Sequence, residues 1–169
     1  TLQSIEAVMR AHAYDGLVGF AGCDKTLPAM LMAMVRLNCP SVFVYGGAML
    51  PGHWKGADVT VLTAYEGVGR VLANTMSEGE LAQLEQACAP TVGSCPGQFT
   101  ANTMAMVAEA LGLTVPNSAM VPGVYAERRA IARRAGEIVM EILGRGGPLP
   151  RDLVTRKSLE NASAIVAAT

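Results

Sequence analysis

The first residues that could do chemistry lie in the segment 22–26, which reads Gly-Cys-Asp-Lys-Thr. A short apolar run predicts a strand just before it, and parallel α/β sheets bind ligands where such strands end. Cys23 offers a soft thiolate suited to an iron–sulfur cluster or zinc, and Asp24 offers the hard oxygen that magnesium prefers. Lys25 can ligate a cation only after carbamylation has replaced its ammonium with an anion. The alternative is a buried thiol, a helix cap from Asp24 and a surface lysine.

A second candidate loop, residues 93–98, reads Gly-Ser-Cys-Pro-Gly-Gln and directly precedes a helical pattern. Its Gly-x-Cys-x-Gly form resembles a nucleophile elbow, so a thiol acyl transferase is one hypothesis for Cys95. Such a nucleophile needs a base, usually histidine. His12 and His53 are the only histidines, and neither lies in a His-x-Glu pair. A zinc site is weaker still, because the chain has no Cys-x-x-Cys and no paired histidines at ligand spacing.

Cys39, between a helix and a strand, is interpreted as a small core residue. Cys88 is interpreted as a packed thiol at a helix end, and the alternative for it is a minor role near the site. Without a secretory leader pattern, the four cysteines predict reduced thiols and a cytoplasmic location. His53 is expected to be a solvated loop residue, and the methionines are expected to fill the core. Four arginines at helical spacing predict a solvated face paired with Glu127 and Glu137. They are Arg128, Arg129, Arg133 and Arg134.

The elements that position these loops alternate between helix and strand. Apolar runs at 16–21 and 41–45 predict buried strands, and a helical pattern at 28–37 lies between them. This order predicts a βαβ crossover, so the fold class is α/β, with parallel-sheet βαβ units flanked by helices. Six further helices are expected. They are 2–13, 100–111, 127–143, one from about 155, and those opened by the capping patterns Thr63-x-x-Glu66 and Ser77-x-x-Glu80.

Composition excludes several classes of function. Apolar residues make up 51% of the 169 residues and charged residues 16%, which excludes a disordered chain. A net charge of −1 and 5% aromatic residues argue against a nucleic-acid partner. The most apolar stretch, 29–50, is interrupted by Arg36, Asn38 and Pro40, so no membrane span is expected. So few charges indicate that much of the surface is covered, by a partner or by the rest of a larger protein.

Three motifs occur in one order that resembles a known family. They are Gly22-Cys23-Asp24-Lys25-Thr26-Leu27-Pro28, the turn Tyr45-Gly46-Gly47-Ala48-Met49-Leu50, and the run from Gly93 to Met104. Together they strongly resemble the dihydroxy-acid dehydratase and sugar-acid dehydratase family, which includes 6-phosphogluconate dehydratase. The segment from Phe99 to Met104 looks more like the dihydroxy-acid enzymes of branched-chain amino-acid biosynthesis.

The resemblance implies a role for each candidate residue. Cys23 and Cys95 match ligands of an iron–sulfur cluster, either [2Fe–2S] or [4Fe–4S]. Asp24 matches a magnesium ligand, and Lys25 matches a catalytic lysine that is carbamylated and bridges to magnesium. The implied reaction dehydrates a 2,3-dihydroxy acid, such as 2,3-dihydroxy-3-methylbutanoate, to a 2-keto acid. The alternatives are a sugar-acid (aldonate or phosphogluconate) dehydratase and a non-catalytic assembly domain with the same fold.

Members of that family are much longer than this chain. The resemblance places a third cluster cysteine and another magnesium carboxylate upstream, and a serine base downstream in a β-rich domain. Residues 1–169 are therefore expected to be part of the N-terminal iron–sulfur and magnesium-binding α/β domain, inactive and prone to aggregation alone. The full-length protein is expected to form a homodimer or homotetramer and to act on a small dihydroxy acid.

Overall fold

The computed structural model describes all residues from 1 to 169 and contains eight helices and four strands. In chain order they are α1 Leu2–Ala11, β1 Leu17–Ala21, α2 Thr26–Leu37, β2 Ser41–Tyr45, β3 Gly52–Trp54, β4 Ala57–Val59, α3 Val61–Leu72, α4 Glu78–Ala87, α5 Thr100–Ala110, α6 Glu127–Arg145, α7 Pro150–Leu153 and α8 Arg156–Ala168. The α/β class is confirmed. None of these helices combines the length and the apolar character that crossing a lipid bilayer requires.

The predicted βαβ crossover is present. β1 and β2 pair in parallel, with Leu17 opposite Ser41 and Ala21 opposite Tyr45, and α2 connects them. A third extended segment continues the sheet beyond β2, because the Phe43 amide donates to the Leu113 carbonyl at 2.7 Å. The carboxyl ends of β1 and β2 consequently lie at the same edge of the sheet.

Side chains of β2 alternate between two apolar layers, as the period of a strand requires. Phe43 and Tyr45 pack in a cluster with α2 and α5, whereas Val42 and Val44 pack in another cluster with α6. Every residue of β2 is buried, so helices cover both faces of the sheet. Among the predicted core methionines of α2, Met30 and Met34 are buried, but Met32 is half exposed.

A short hairpin contains His53, which was expected to lie in a loop. β3 and β4 pair antiparallel, with His53 opposite Asp58. The His53 ring is exposed and its Nδ1 lies 3.3 Å from Asp58 Oδ1, so its interpretation as a solvated residue is confirmed. Cys88 is buried in a small cluster beneath the hairpin, as predicted. Cys39 is only partly buried, so its assignment to the core is too strong.

One of the two predicted capping boxes is wrong. α3 is capped by Thr60, whose hydroxyl accepts from the Leu62 amide, and the Thr63 hydroxyl accepts from the Thr60 amide. Both positions are threonines, so helical spacing alone could not separate the cap from the third residue of the helix. The other box is confirmed: Ser77 accepts from the Glu80 amide, and the Glu80 carboxylate accepts from the Ser77 amide.

The capping carboxylate of α4 predicts a pH-dependent stability. Lys55 donates to Glu80 at 2.5 Å, and this bond, with those from Ser77, lowers the pKa of Glu80 to about 2. The stabilisation is therefore full above the ordinary carboxyl pKa of 4.5 and is lost as pH falls through about 2. Denaturant unfolding should be measured from about pH 5 down to about pH 2. Over this range the free energy of unfolding should fall more steeply in the wild type than in Glu80→Gln.

Glu78→Gln is the matched control for this prediction, because it removes a carboxylate from the same first turn of α4. It should keep the steep wild-type dependence. Equal slopes for the wild type and Glu80→Gln would contradict the assignment of this carboxylate as the titrating group.

Candidate functional site

The two cysteine loops meet in one cleft at the carboxyl edge of the sheet. The cleft has a volume of about 410 Å³. It is lined by Gly22, Cys23, Asp24, Met49, Gly93, Ser94, Cys95, Phe99, Thr100 and Ala101. Both cysteines are exposed and neither forms a disulfide, and Asp24 is half-buried. The structure therefore brings together three of the four predicted site residues, although they come from loops about 70 residues apart in the chain.

The first loop folds as a tight turn between β1 and α2. Thr26 closes the turn, because its hydroxyl donates to the Cys23 carbonyl at 3.0 Å and accepts from the Cys23 amide at 3.2 Å. The Leu27 amide donates to the same carbonyl and starts the helix. Asp24 does not cap α2, so the alternative interpretation of this residue as a helix cap is wrong. Its carboxylate is left to face the cleft.

Asp24 and Lys25 form an ion pair at the rim of the cleft. Lys25 Nζ lies 2.8 Å from Asp24 Oδ2, and the Cys23 thiol donates to Asp24 Oδ1 at 3.5 Å. The hydrogen bond from Lys25 lowers the pKa of Asp24, and the same contact raises the pKa of Lys25. Asp24 is therefore a carboxylate at neutral pH and Lys25 an ammonium. The Lys25 side chain is 86% exposed, so its amine is accessible to small reagents.

The second loop is fixed against the segment that follows β2. The Ser94 amide donates to the Gly47 carbonyl at 2.9 Å, and the Met49 amide donates to the Ser94 carbonyl at 2.8 Å. The Ser94 hydroxyl donates to the Gly22 carbonyl, which belongs to the first loop. Ser94 thus contacts both the turn after β2 and the residue that precedes Cys23.

Close packing of backbone on backbone explains two glycines in these motifs. A Cβ on Gly93 would lie 2.3 Å from the Met49 nitrogen, and a Cβ on Gly47 would lie 2.5 Å from the Gly123 nitrogen. Both residues also have positive φ, 132° for Gly93 and 89° for Gly47, a region that side chains disfavour. No other residue type fits these positions without a shift of the backbone.

A buried hydrogen-bond network holds the carbonyl side of the Cys95 loop. Tyr45, which is 1% exposed, donates its hydroxyl to Asn102 Oδ1 at 2.6 Å. Asn102 Nδ2 in turn donates to the carbonyls of Cys95, at 3.2 Å, and Gly97. Burial raises the pKa of Tyr45, so its hydroxyl remains a donor. Residue types and spacing alone did not assign these roles to Tyr45, Asn102 or Ser94, although all three lie in the motifs that carry the family resemblance.

Arg128 corrects the prediction that all four arginines of α6 face solvent. Its Nη1 donates to the Tyr45 carbonyl at 2.9 Å, and its Nη2 donates to the Val121 carbonyl. Its guanidinium lies 5.5 Å from the centre of the Tyr45 ring, and burial lowers the pKa of Arg128. The expectation holds for Arg133 and Arg134, which pair with Glu137 at the surface.

The chemistry of the cleft favours metal binding over nucleophilic catalysis. Neither histidine lines it: His53 lies on β3, and His12 follows α1 and stacks on Tyr14. Neither histidine of this chain is therefore placed to serve Cys95 as the base that an acyl transferase needs. Two soft thiols and one hard carboxylate in one cleft fit an iron–sulfur cluster beside a magnesium ion. No group of three or more Cys, His, Asp or Glu side chains converges on one point in this structure.

Comparisons with known proteins match the whole chain. Residues 1–169 match the family described as dihydroxy-acid/6-phosphogluconate dehydratase, N-terminal. Curated relatives include dihydroxy-acid dehydratase 2 of Bordetella bronchiseptica, 67% identical over 98% of this chain and 29% of the relative. Dihydroxy-acid dehydratase 3 of Bradyrhizobium diazoefficiens is 62% identical over 98% of this chain and 28% of the relative. The chain thus spans just over a quarter of the length of these relatives.

The packing of the Cys95 loop predicts opposite effects for two glycine substitutions. Gly93→Ala should lower the free energy of unfolding by about 3 kcal/mol, because it combines positive φ with backbone overlap. Gly69→Ala, in α3 with nothing within 4 Å of the added Cβ, should raise stability by about 0.5–1 kcal/mol. Urea unfolding measures both, and a Gly93→Ala protein as stable as the wild type would refute this account of the loop.

Proposed function

This chain belongs to the dihydroxy-acid/6-phosphogluconate dehydratase family, and we propose that it supplies metal ligands to a hydro-lyase. In this proposal Cys23 and Cys95 ligate an iron–sulfur cluster, and Asp24 ligates magnesium. The reaction removes water from a 2,3-dihydroxy acid and gives a 2-keto acid. Because the chain covers 28–29% of its relatives, the activity is proposed for the full-length protein.

One observation carries this proposal: both exposed thiols and the Asp24 carboxylate line a single cleft. A substrate that spans two metals needs ligands for both within a few ångströms of each other. Adjacent residues in one turn meet that need, because Cys23 and Asp24 follow each other in the chain. The second thiol reaches the same cleft from the loop before α5.

When bound, the metals would supply Lewis-acid activation of the leaving hydroxyl and of the proton lost beside the carboxylate. The protein's own residues supply the rest. Cys23 and Cys95 bind as thiolates, so each loses its proton on loading. Asp24 needs no proton loss, because its contact with Lys25 already lowers its pKa.

We also propose that Lys25 acts as a carbamylated magnesium ligand, a role for which its side chain must first change its charge. Its neutral amine would attack carbon dioxide, lose a proton and become a carbamate anion. The ion pair with Asp24 opposes this step, because it stabilises the ammonium and raises the pKa of Lys25. A divalent cation at Asp24 would replace the ammonium as the counter-charge, so magnesium binding and carbamylation of Lys25 should favour each other.

The cleft lining supports a branched-chain dihydroxy acid as the substrate. Met49, Phe99 and Ala101 contribute apolar surface beside the thiols. A hydrocarbon substituent gains from contact with such surface, whereas the hydroxyl-rich chain of a sugar acid would lose hydrogen bonds to water. The named relatives given above are dihydroxy-acid dehydratases, which favours the same choice.

Iron analysis of the anaerobically purified full-length protein tests the ligand proposal. We expect bound iron and acid-labile sulfide in the wild type, and a loss of most of both in Cys23→Ser and in Cys95→Ser. Cys88→Ser is the matched control, because its thiol is buried outside the cleft, and it should retain the wild-type iron content. A folded wild type without iron would favour the assembly domain instead. Unchanged iron in both cleft variants would remove these residues as ligands.

Substrate comparison tests the second part of the proposal. The iron-loaded protein should convert 2,3-dihydroxy-3-methylbutanoate to its 2-keto acid with a kcat/KM at least about tenfold above that for a six-carbon aldonate. One methylene in an apolar site is worth about 10- to 200-fold, which sets this scale. A preference for the aldonate would contradict the proposed substrate and would identify the full-length protein as a sugar-acid dehydratase.

A further inference from the structure

We propose that Ser94 is a positioning residue that fixes the separation of the Cys23 and Cys95 thiols. Its hydroxyl donates to the Gly22 carbonyl and so joins the two cysteine loops. The inference rests on the proposed function only in taking these thiols as ligands of one group. It adds a residue whose task is to set the distance between them before any metal binds.

This hydrogen bond can control the distance between the thiols because it lies next to both cysteines in the chain. Ser94 directly precedes Cys95, and its acceptor, Gly22, directly precedes Cys23. One bond therefore connects the two positions from which the thiols project, across 72 residues of sequence. Because each cysteine is only one residue from the bond, little freedom remains between the bond and each thiol.

Ser94 itself is held firmly enough to act as a reference point. It is 8% exposed, and both its amide and its carbonyl are used in hydrogen bonds to the segment after β2. The Cys95 carbonyl is fixed independently through Asn102. The first loop, in contrast, is held locally by Thr26, which shapes the turn but does not tie it to the second loop. The hydrogen bond from the Ser94 hydroxyl to the Gly22 carbonyl is the side-chain contact that joins the two cysteine loops.

A reagent that needs two thiols can test this without any iron. Phenylarsine oxide condenses with two nearby thiols and releases one water, so its affinity reports how well the thiols are held together. In the metal-free, reduced full-length protein, binding should require both Cys23 and Cys95. Ser94→Ala should weaken it by about five- to tenfold, the scale of one net hydrogen bond. Alkylation of each thiol by iodoacetamide, which needs one thiol only, should change by less than about twofold, well below that scale.

Shape-matched variants separate the hydroxyl from packing. Ser94→Thr keeps the hydroxyl and should bind the arsenical within about threefold of the wild type, whereas Ser94→Val has the same shape without it and should bind like Ser94→Ala. This pair also serves if Ser94→Ala does not fold. Ser41→Ala is the control for loss of a buried serine, since its hydroxyl bonds to the Cys39 carbonyl at the other end of β2. It should bind like the wild type.

Three results would overturn the proposal. They are equal arsenical affinity in Ser94→Thr and Ser94→Val, an equal loss in Ser41→Ala, and a wild type whose binding does not need both cysteines. These results are independent of the iron analysis. A wild type that holds no iron but shows the hydroxyl-dependent arsenical binding would contradict the proposed function and leave the role of Ser94 intact.

Discussion

The parallel pairing of β1 with β2 is the constraint on which the candidate site depends. Parallel strands end at the same edge of their sheet, so the loops that leave β1 and β2 are neighbours. The two faces of β2 are buried by different helices, which fixes its register against β1 and leaves the edge as the place where polar loops can gather. Cys23 lies two residues after the end of β1, and the turn after β2 holds the loop that carries Cys95. A slip in this pairing would separate the two thiols.

Hydrogen bonds of buried polar side chains hold the two neighbouring loops in one conformation and so define the cleft. A buried donor or acceptor without a partner costs about 1–3 kcal/mol, so the hydrogen bonds of Tyr45, Asn102 and Ser94 select one conformation of the loops. Arg128 adds a cation against the end of β2, where it binds the Tyr45 carbonyl and covers the ring. The backbone of the site is thus fixed while its thiols stay exposed. A fixed backbone beneath exposed side chains is the arrangement of a binding site that is organised before its ligand binds.

Periodicity and motif order predicted much of this, and long-range contacts account for what they missed. Two apolar runs around a helical pattern were enough for the βαβ unit, since that signal is local. The role of Arg128 was not predictable, because its helical spacing is identical to that of surface arginines and its acceptor, Tyr45, lies 83 residues away. The hydrogen bond from Tyr45 to Asn102 was not predicted either, because its two residues lie 57 positions apart in the chain. The cysteine loops were found because both sit where strands end or helices begin.

We propose that the cleft between the two cysteine loops is a metal centre. Crystals of the full-length protein, grown without oxygen and measured at the iron absorption edge, test it most directly. We expect an anomalous peak for iron that is bonded to the sulfurs of Cys23 and Cys95, and a separate light cation at Asp24. A map in which both sulfurs are unliganded, or in which the iron lies away from this cleft, would contradict it.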